Sequence, residues 1–235
     1  MNTLSKFLTA AAVAVSTLSM ATVAQAENKP VGITGSLSSV TVMHEGASVE
    51  LAREQNNAST ITQDFALTSR PCPPFCIQPM VFAPGVETLG ELEVIDHLVR
   101  MQSDEKILVI DSRTPNWVAK GTIPGAINIS WVSLTPAKGA TTEGIMDIML
   151  NQMDVTLIGD VDEFEVDEAI VNGTVADVFN YAQAKTLVLF CNGMWCGQSP
   201  ASMKTLLSFG YPAEKIKWFR GGMQTWQVLG LTTVK

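Results

Sequence analysis

The stretch TLVLFCNGMWCGQSPASMKTLLSFGY, residues 186–211, decides the fold. Its first five residues, 186–190, form a continuous apolar run bounded by polar residues, which is typical of a strand buried on both faces of a parallel sheet. Ser199 suits the N-cap of a helix, the following proline suits its first position, and Gly210 suits its end. The stretch therefore predicts a strand, a loop and a helix, with Cys191 where the strand ends.

Strand and helix patterns alternate around this stretch. Thr88 with Glu91 has the spacing of a capping box in front of an apolar helical pattern. Further short apolar runs indicate strands, and amphipathic runs indicate helices; these are KILVI (106–110), GAINIS (125–130), a helix around 145–152, IKWF (216–219) and MQTWQVLG (223–230). The alternation predicts an α/β fold, a parallel sheet with helices on both faces. The acidic stretch 159–169 interrupts the alternation and is interpreted as a solvated insertion.

Residues 27–83, which precede this alternation, show a hairpin pattern and a proline-rich segment instead of alternating strands and helices. SLSSVTVMHEGASVELAREQ, residues 36–55, alternates apolar and polar residues on both sides of a His-Glu-Gly turn. It predicts a β-hairpin or two short strands. SRPCPPFCIQPM, residues 69–80, contains four prolines, which exclude a regular helix or a central strand. We therefore divide the chain into a hairpin and Pro/Cys-rich connector over 27–83 and an α/β domain over 84–235.

The first 26 residues differ in pattern from the α/β domain, the hairpin and the connector. Lys6 gives a basic start, Phe7–Met20 is an apolar run of 14 residues, and Ala24 and Ala26 are placed for an Ala-x-Ala cleavage site. This is the layout of a secretory signal peptide cut after Ala26, and the run is short for a membrane span. We expect the mature protein to be exported, for example to the periplasm.

The charge and composition of the chain limit the classes of partner, metal and cofactor that it is expected to bind. The chain has 15 basic and 23 acidic residues, a net charge of −8 at pH 7. An acidic surface argues against nucleic acid and anionic membranes as partners. The chain contains only two histidines, and the spacing of its histidines and cysteines does not fit a zinc site. We therefore predict no metal, no cofactor and no membrane span in the mature chain.

The four cysteines form two close pairs. Cys72 and Cys76 lie in the proline-rich connector, where they could form a local disulfide or a dithiol that exchanges sulfur or electrons. Cys191 and Cys196 lie together in the loop after the buried strand. Cys196 is either a resolving thiol for Cys191 or a small buried apolar residue, and the sequence leaves both interpretations open.

Cys191 is the candidate nucleophile. It follows a buried strand, and ligands bind at the carboxyl ends of such strands. A loop that enters a helix points backbone N–H groups inward, and the helix dipole adds to their field. That environment lowers the pKa of a cysteine and forms a pocket for a small anion. Gly193 and Gly197 would let the loop backbone bend tightly.

Two separated motifs carry a family resemblance. VIDSRTPNWVAKGTIPGAINIS (109–130) and the stretch 186–211, followed by IKWFRGGMQTWQVLG (216–230), resemble the signatures of the rhodanese family. The resemblance covers roughly residues 86–233, with an insertion near 135–180. It implies a rhodanese α/β fold over 84–235 and a persulfide on Cys191, formed from a small sulfur-containing anion such as thiosulfate.

The resemblance also implies the site. Asp111 and Arg113 are expected to support the loop, and Thr122 is expected to be structural. The substrate would bind to the active loop, whose residues after Cys191 are Asn192, Gly193, Met194, Trp195, Cys196, Gly197, Gln198 and Ser199. Gln198 stands where the family commonly has a basic residue. The loop is longer than usual, but the phosphate-binding arginine of related phosphatases is absent, which argues against phosphatase activity.

Three functions remain open. The first is a periplasmic sulfurtransferase that works through a Cys191 persulfide and passes sulfur to a thiol acceptor. The second is a thiol–disulfide redox protein that uses Cys191 with Cys196, or with the connector pair, and acts on a partner protein. The third is a non-catalytic rhodanese module that binds an anion or a partner.

Overall fold

The structure is a computed structural model that describes residues 29–235. The predicted signal peptide, residues 1–26, lies outside the described residues. Within the described part, no helix is long and apolar enough to cross a bilayer.

A five-stranded parallel sheet forms the centre of the α/β domain. Its strands, in spatial order, are β3 (Glu87–Leu89), β9 (Ile216–Phe219), β8 (Thr186–Phe190), β4 (Ile107–Asp111) and β5 (Ile127–Asn128). Every neighbouring pair is parallel. The apolar strands β8 and β4 lie at or next to the middle of the sheet, where both faces of a strand are covered.

Besides this sheet, the described part of the chain contains seven α-helices and two small antiparallel pairs of strands. The helices are α1 (Gln63–Ala66), α2 (Glu91–Arg100), α3 (Pro115–Val118), α4 (Thr142–Gln152), α5 (Glu163–Asn172), α6 (Gln198–Ser208) and α7 (Gly222–Val228). The pairs are β1 (Ser39–His44) with β2 (Ala47–Ala52), and β6 (Thr156–Leu157) with β7 (Phe179–Asn180). Short 3₁₀ turns link several of them, including Trp131–Leu134 before α4.

Alternating side chains of β8 build a core on each face of the sheet. Leu187 and Leu189 pack with α4, α5 and α6 on one face. Val188 and Phe190 pack with α2 and α7 on the other face. Because successive side chains of a strand point to opposite faces, a continuous apolar run needs both covers. The predicted parallel sheet with helices on both faces is confirmed.

The predicted N-terminal hairpin is confirmed and packs on the domain. Strands β1 and β2 pair antiparallel around a turn at Glu45 and Gly46. Val42 and Leu51 are fully buried in the core that contains α2 and α7. Gln102 also donates a side-chain hydrogen bond to the carbonyl of Thr41, at 2.8 Å. The hairpin therefore covers part of the domain's core.

Two local expectations are wrong. Thr88 belongs to strand β3, and the cap of α2 instead uses Glu93, whose carboxylate accepts from the amide of Gly90 at 3.0 Å. The acidic stretch 159–169 is not only solvated insertion, because most of it forms α5, which buries Val166 and Ala169. Their three-residue spacing places both on one helix face.

Candidate active site

Cys191 lies at the carboxyl end of β8, in the centre of the sheet. Residues 192–197 form the loop, and α6 begins at Gln198 with Gly197 as its N-cap residue. The predicted N-cap role of Ser199 is therefore wrong, because Ser199 already lies inside the first turn of the helix. Its hydroxyl makes no hydrogen bond to the helix backbone and lies close enough to the Cys191 sulfur to lower the pKa of that thiol.

The first turn of α7 orients the loop. The amide of Met223 donates to the carbonyl of Cys191 and the amide of Gln224 donates to the carbonyl of Asn192, both at 2.9 Å. In a trans peptide the N–H points opposite to the C=O. The amides of Asn192 and Gly193 therefore point away from α7 and into the loop.

The loop amides surround the two thiols. Hydrogen bonds from the amides of Gly193 and Ser199 reach the Cys191 sulfur. The amides of Asn192 and Gln198 reach the Cys196 sulfur. The structure thus supplies the anion-stabilising N–H groups that the strand–loop–helix pattern predicts.

The surroundings of Cys191 favour the thiolate. Burial by itself raises the pKa of Cys191, since only 2% of the residue is exposed. Hydrogen bonds from the Cys196 thiol, the Ser199 hydroxyl and two loop amides outweigh burial and lower the pKa to about 7. The Ser199 hydroxyl is buried and makes no hydrogen bond to another oxygen or nitrogen among the described residues, so it is available to the Cys191 thiolate.

The surroundings of Cys196 favour the protonated thiol instead. Burial and the neighbouring Cys191 sulfur raise the pKa of Cys196 well above its usual range. Cys196 therefore stays protonated and donates to the Cys191 thiolate. When Cys191 is itself protonated, its thiol donates to the carbonyl of Cys196, at 3.5 Å. Both thiols are free in this structure.

Asp111 and Arg113 lie beside the loop, at the end of the neighbouring strand β4. They form a fully buried ion pair, with Nη2 and Oδ2 2.6 Å apart. Thr122 donates to the same carboxylate, and Arg113 also donates to the carbonyl of Gly121. The residue between the pair, Ser112, donates its amide to the carbonyl of Phe190. The pair thus fixes the backbone that holds the residue preceding Cys191.

A segment of the connector lies along the rim of the loop; we call residues 69–78 the strap. The amide of Gln78 donates to the carbonyl of Met194 at 2.8 Å. Phe75 meets Trp195 edge to face, with ring centroids 5.4 Å apart. The structure joins Cys72 and Cys76 by a disulfide within the strap. Sequence reasoning did not place the connector at the site.

The sequence analysis also missed two side-chain contacts of Gln224 and the close approach of Gly222 to the loop. The indole of Trp195 donates to the side-chain carbonyl of Gln224 at 2.8 Å, and the Gln224 amide donates to the carbonyl of Phe65. Gly222 has a φ of +56° and packs against the Cys191 carbonyl. The Gly-Gly pair before α7 is the signal that could have indicated such a close backbone approach.

The fold and the site together define a class of protein. A cysteine whose pKa is lowered lies at the carboxyl end of a central parallel strand, inside a loop of inward-pointing amides. The family model of the rhodanese-like domain matches residues 94–229, and the chain belongs to the rhodanese-like domain family. A comparison with curated proteins gives no match. Membership supports a sulfurtransferase-like or sulfur-related role.

Proposed function

We propose that this chain is an exported, periplasmic sulfurtransferase that carries a sulfane sulfur as a persulfide on Cys191. The observation that carries the proposal is the lowered pKa of Cys191, whose thiolate is favoured by two loop amides, the Cys196 thiol and the nearby Ser199 hydroxyl. The signal-peptide pattern of residues 1–26 supports export. A small sulfur-containing anion, such as thiosulfate, is the proposed donor.

The chemistry needs only a nucleophile and stabilised negative charge. The Cys191 thiolate attacks the outer sulfur of thiosulfate, the S–S bond breaks, and sulfite leaves with the bonding electron pair. The amides of Gly193 and Ser199 then stabilise the persulfide anion, as they stabilise the thiolate. An acceptor thiolate attacks the outer sulfur of the persulfide, takes that sulfur, and regenerates the Cys191 thiolate.

The test is direct loading of the reduced protein. We expect thiosulfate to add the mass of one sulfur atom to the peptide that contains Cys191, and an added thiol to remove it. Intact and peptide mass spectrometry measure both steps. Because reduction also opens the Cys72–Cys76 disulfide, the control is the Cys191→Ser variant, in which no peptide should gain a sulfur atom. Failure of several sulfur donors to load Cys191 would contradict the proposal.

The pH dependence of Cys191 alkylation tests the thiolate. Because only the thiolate reacts, the alkylation rate should fall below a midpoint of about pH 7 and level off above it. Replacing Cys196 with alanine removes a hydrogen-bond donor to the thiolate and should move the midpoint to higher pH. A midpoint near the ordinary cysteine value of about 8.5 would show that the loop does not stabilise the anion.

A thiol–disulfide redox function is the second candidate, because Cys191 and Cys196 are hydrogen-bonded to each other and both are free. In that function Cys196 would attack a mixed disulfide on Cys191. The raised pKa of Cys196 slows such an attack, since a thiol is a poor nucleophile. A Cys196→Ser variant separates the two: a sulfurtransferase keeps persulfide formation, whereas a dithiol redox protein loses its cycle.

A further inference from the structure

The loop that binds the proposed substrate contains no positive charge. Residues 191–199 include neither lysine nor arginine, and Gln198 occupies the place where a basic residue was expected. An anionic sulfur donor that enters a buried site needs a compensating cation or hydrogen bonds from charged donors. The strap supplies a candidate that the sequence did not indicate. We propose that Arg70 binds the negatively charged oxygens of the sulfur donor at the rim of the loop.

The guanidinium of Arg70 is held against the loop by stacking. Its central carbon lies 4.3 Å from the centroid of the Trp195 ring and 4.9 Å from that of Phe75. Trp195 belongs to the same loop as Cys191. A guanidinium that lies over aromatic rings can still donate from its N–H groups, and their planar fork matches the geometry of an oxyanion.

The N–H groups of Arg70 are only partly used. Nη2 donates to the backbone carbonyl of Asp64 at 2.5 Å. Nε is buried and has no hydrogen-bond partner among the described residues. Leaving a buried charged donor without an acceptor is costly, so an incoming anion that accepts from it gains affinity.

Arg70 is also left without a carboxylate. Asp64, whose backbone carbonyl accepts from Arg70, directs its carboxylate to Lys120, at 3.1 Å. No ion pair between residues 29 and 235 includes Arg70. The charge of Arg70 is therefore free to act on a ligand.

The other arginine near the strap is already engaged. Arg220 directs Nε and Nη2 to the carbonyl of Gln78, at 3.0 and 2.8 Å. Gln78 in turn binds the loop through Met194. Arg220 therefore anchors the strap, whereas Arg70 has an unused N–H. The Cys72–Cys76 disulfide, placed between the two anchoring points, limits the freedom of the segment that carries Arg70.

The experiment compares an anionic with a neutral reagent at Cys191. Iodoacetate and iodoacetamide alkylate the same thiolate but differ in charge. We expect Arg70→Gln to lower the ratio of the iodoacetate rate to the iodoacetamide rate about tenfold, the value of one lost charge-assisted hydrogen bond. Arg70→Lys should keep part of the ratio. The matched control is Arg100→Gln, since Arg100 is exposed and pairs with Asp96 on the surface.

The same variants are then tested with thiosulfate, where the inference rests on the proposed function. Arg70→Gln should raise the KM for thiosulfate about tenfold and leave kcat nearly unchanged, because the lost contact is to the bound anion. If thiosulfate fails to load the wild-type protein while the alkylation ratio still falls, the proposed function is wrong and the anion-binding role of Arg70 stands.

An alkylation ratio in Arg70→Gln equal to that of the wild-type protein would overturn the assignment. If both rates also stay at the wild-type value, Arg70 does not act on the site. If both rates change by the same factor, Arg70 only packs the strap on Trp195. Thermal unfolding of each variant identifies a loss of folding, and Arg70→Lys then provides the comparison with packing largely retained.

Discussion

Replacement of Cys191 with serine is expected to abolish sulfur transfer. A serine hydroxyl does not ionise near neutral pH and its oxygen forms no persulfide, so no carrier for the sulfane sulfur remains. Turnover of thiosulfate should fall on the order of a thousandfold or more. Sulfite release in the presence of an acceptor thiol measures the loss, and the mass of the Cys191 peptide shows that no sulfur is added.

The matched control for this variant is Cys196→Ser. It lies in the same loop, removes a sulfur atom of the same size and is similarly buried. A sulfurtransferase retains the persulfide in Cys196→Ser and loses it in Cys191→Ser. Because both substitutions keep the shape of the side chain, the stability of each variant should change by only about 1 kcal/mol. Turnover at the wild-type level in Cys191→Ser would place the chemistry at another residue.

Substitution of Gly222 with alanine is expected to damage both stability and activity. The residue has a φ of +56°, and an added Cβ would lie 2.3 Å from the carbonyl oxygen of Cys191 and 2.8 Å from the amide nitrogen of Gly193. Both neighbours are backbone atoms, so the loop itself must move. We expect a loss of about 2–4 kcal/mol in the free energy of unfolding and a loss of activity on the order of a hundredfold.

Gly173→Ala separates backbone strain from displacement of the loop. Gly173 follows α5 with a φ of +72°, and an added Cβ there would meet no atom within 4 Å. This variant should lose about 1–2 kcal/mol of stability and keep its activity. Urea unfolding and the rate of persulfide formation measure the two effects. Equal activity in both variants would show that α7 does not need to hold the loop carbonyls.

The reactivity expected of Cys191 could be predicted from the local sequence pattern. The loop after β8 lowers the pKa of Cys191 through groups that lie within eight residues of it, namely Gly193, Cys196 and Ser199. Such contacts follow from a strand that ends, a loop and a helix that begins, and each of these has a local signature. The candidate nucleophile was therefore identifiable before its surroundings were known.

The positions of the helix caps were harder to predict from the sequence. Ser199 has the residue type of an N-cap but lies inside α6, and Thr88 has the spacing of a capping box but pairs with β9 in the sheet. Capping preferences amount to about 1 kcal/mol, which pairing of a strand or the demands of a loop can outweigh. The same residues then serve another purpose, as the Ser199 hydroxyl does beside the Cys191 sulfur.

The sequence by itself determined the fold class, the hairpin and the position of Cys191, because apolar periodicity and helix boundaries depend on near neighbours in the chain. Only the tertiary structure decided what surrounds the loop. It brought Arg70 to Trp195, residues 125 apart in the sequence, and set α7 against the Cys191 carbonyl. Contacts between segments that are distant in the sequence depend on how the helices, strands and loops pack against one another. The proline-rich strap has no regular apolar pattern, so its sequence does not indicate which surface it will cover.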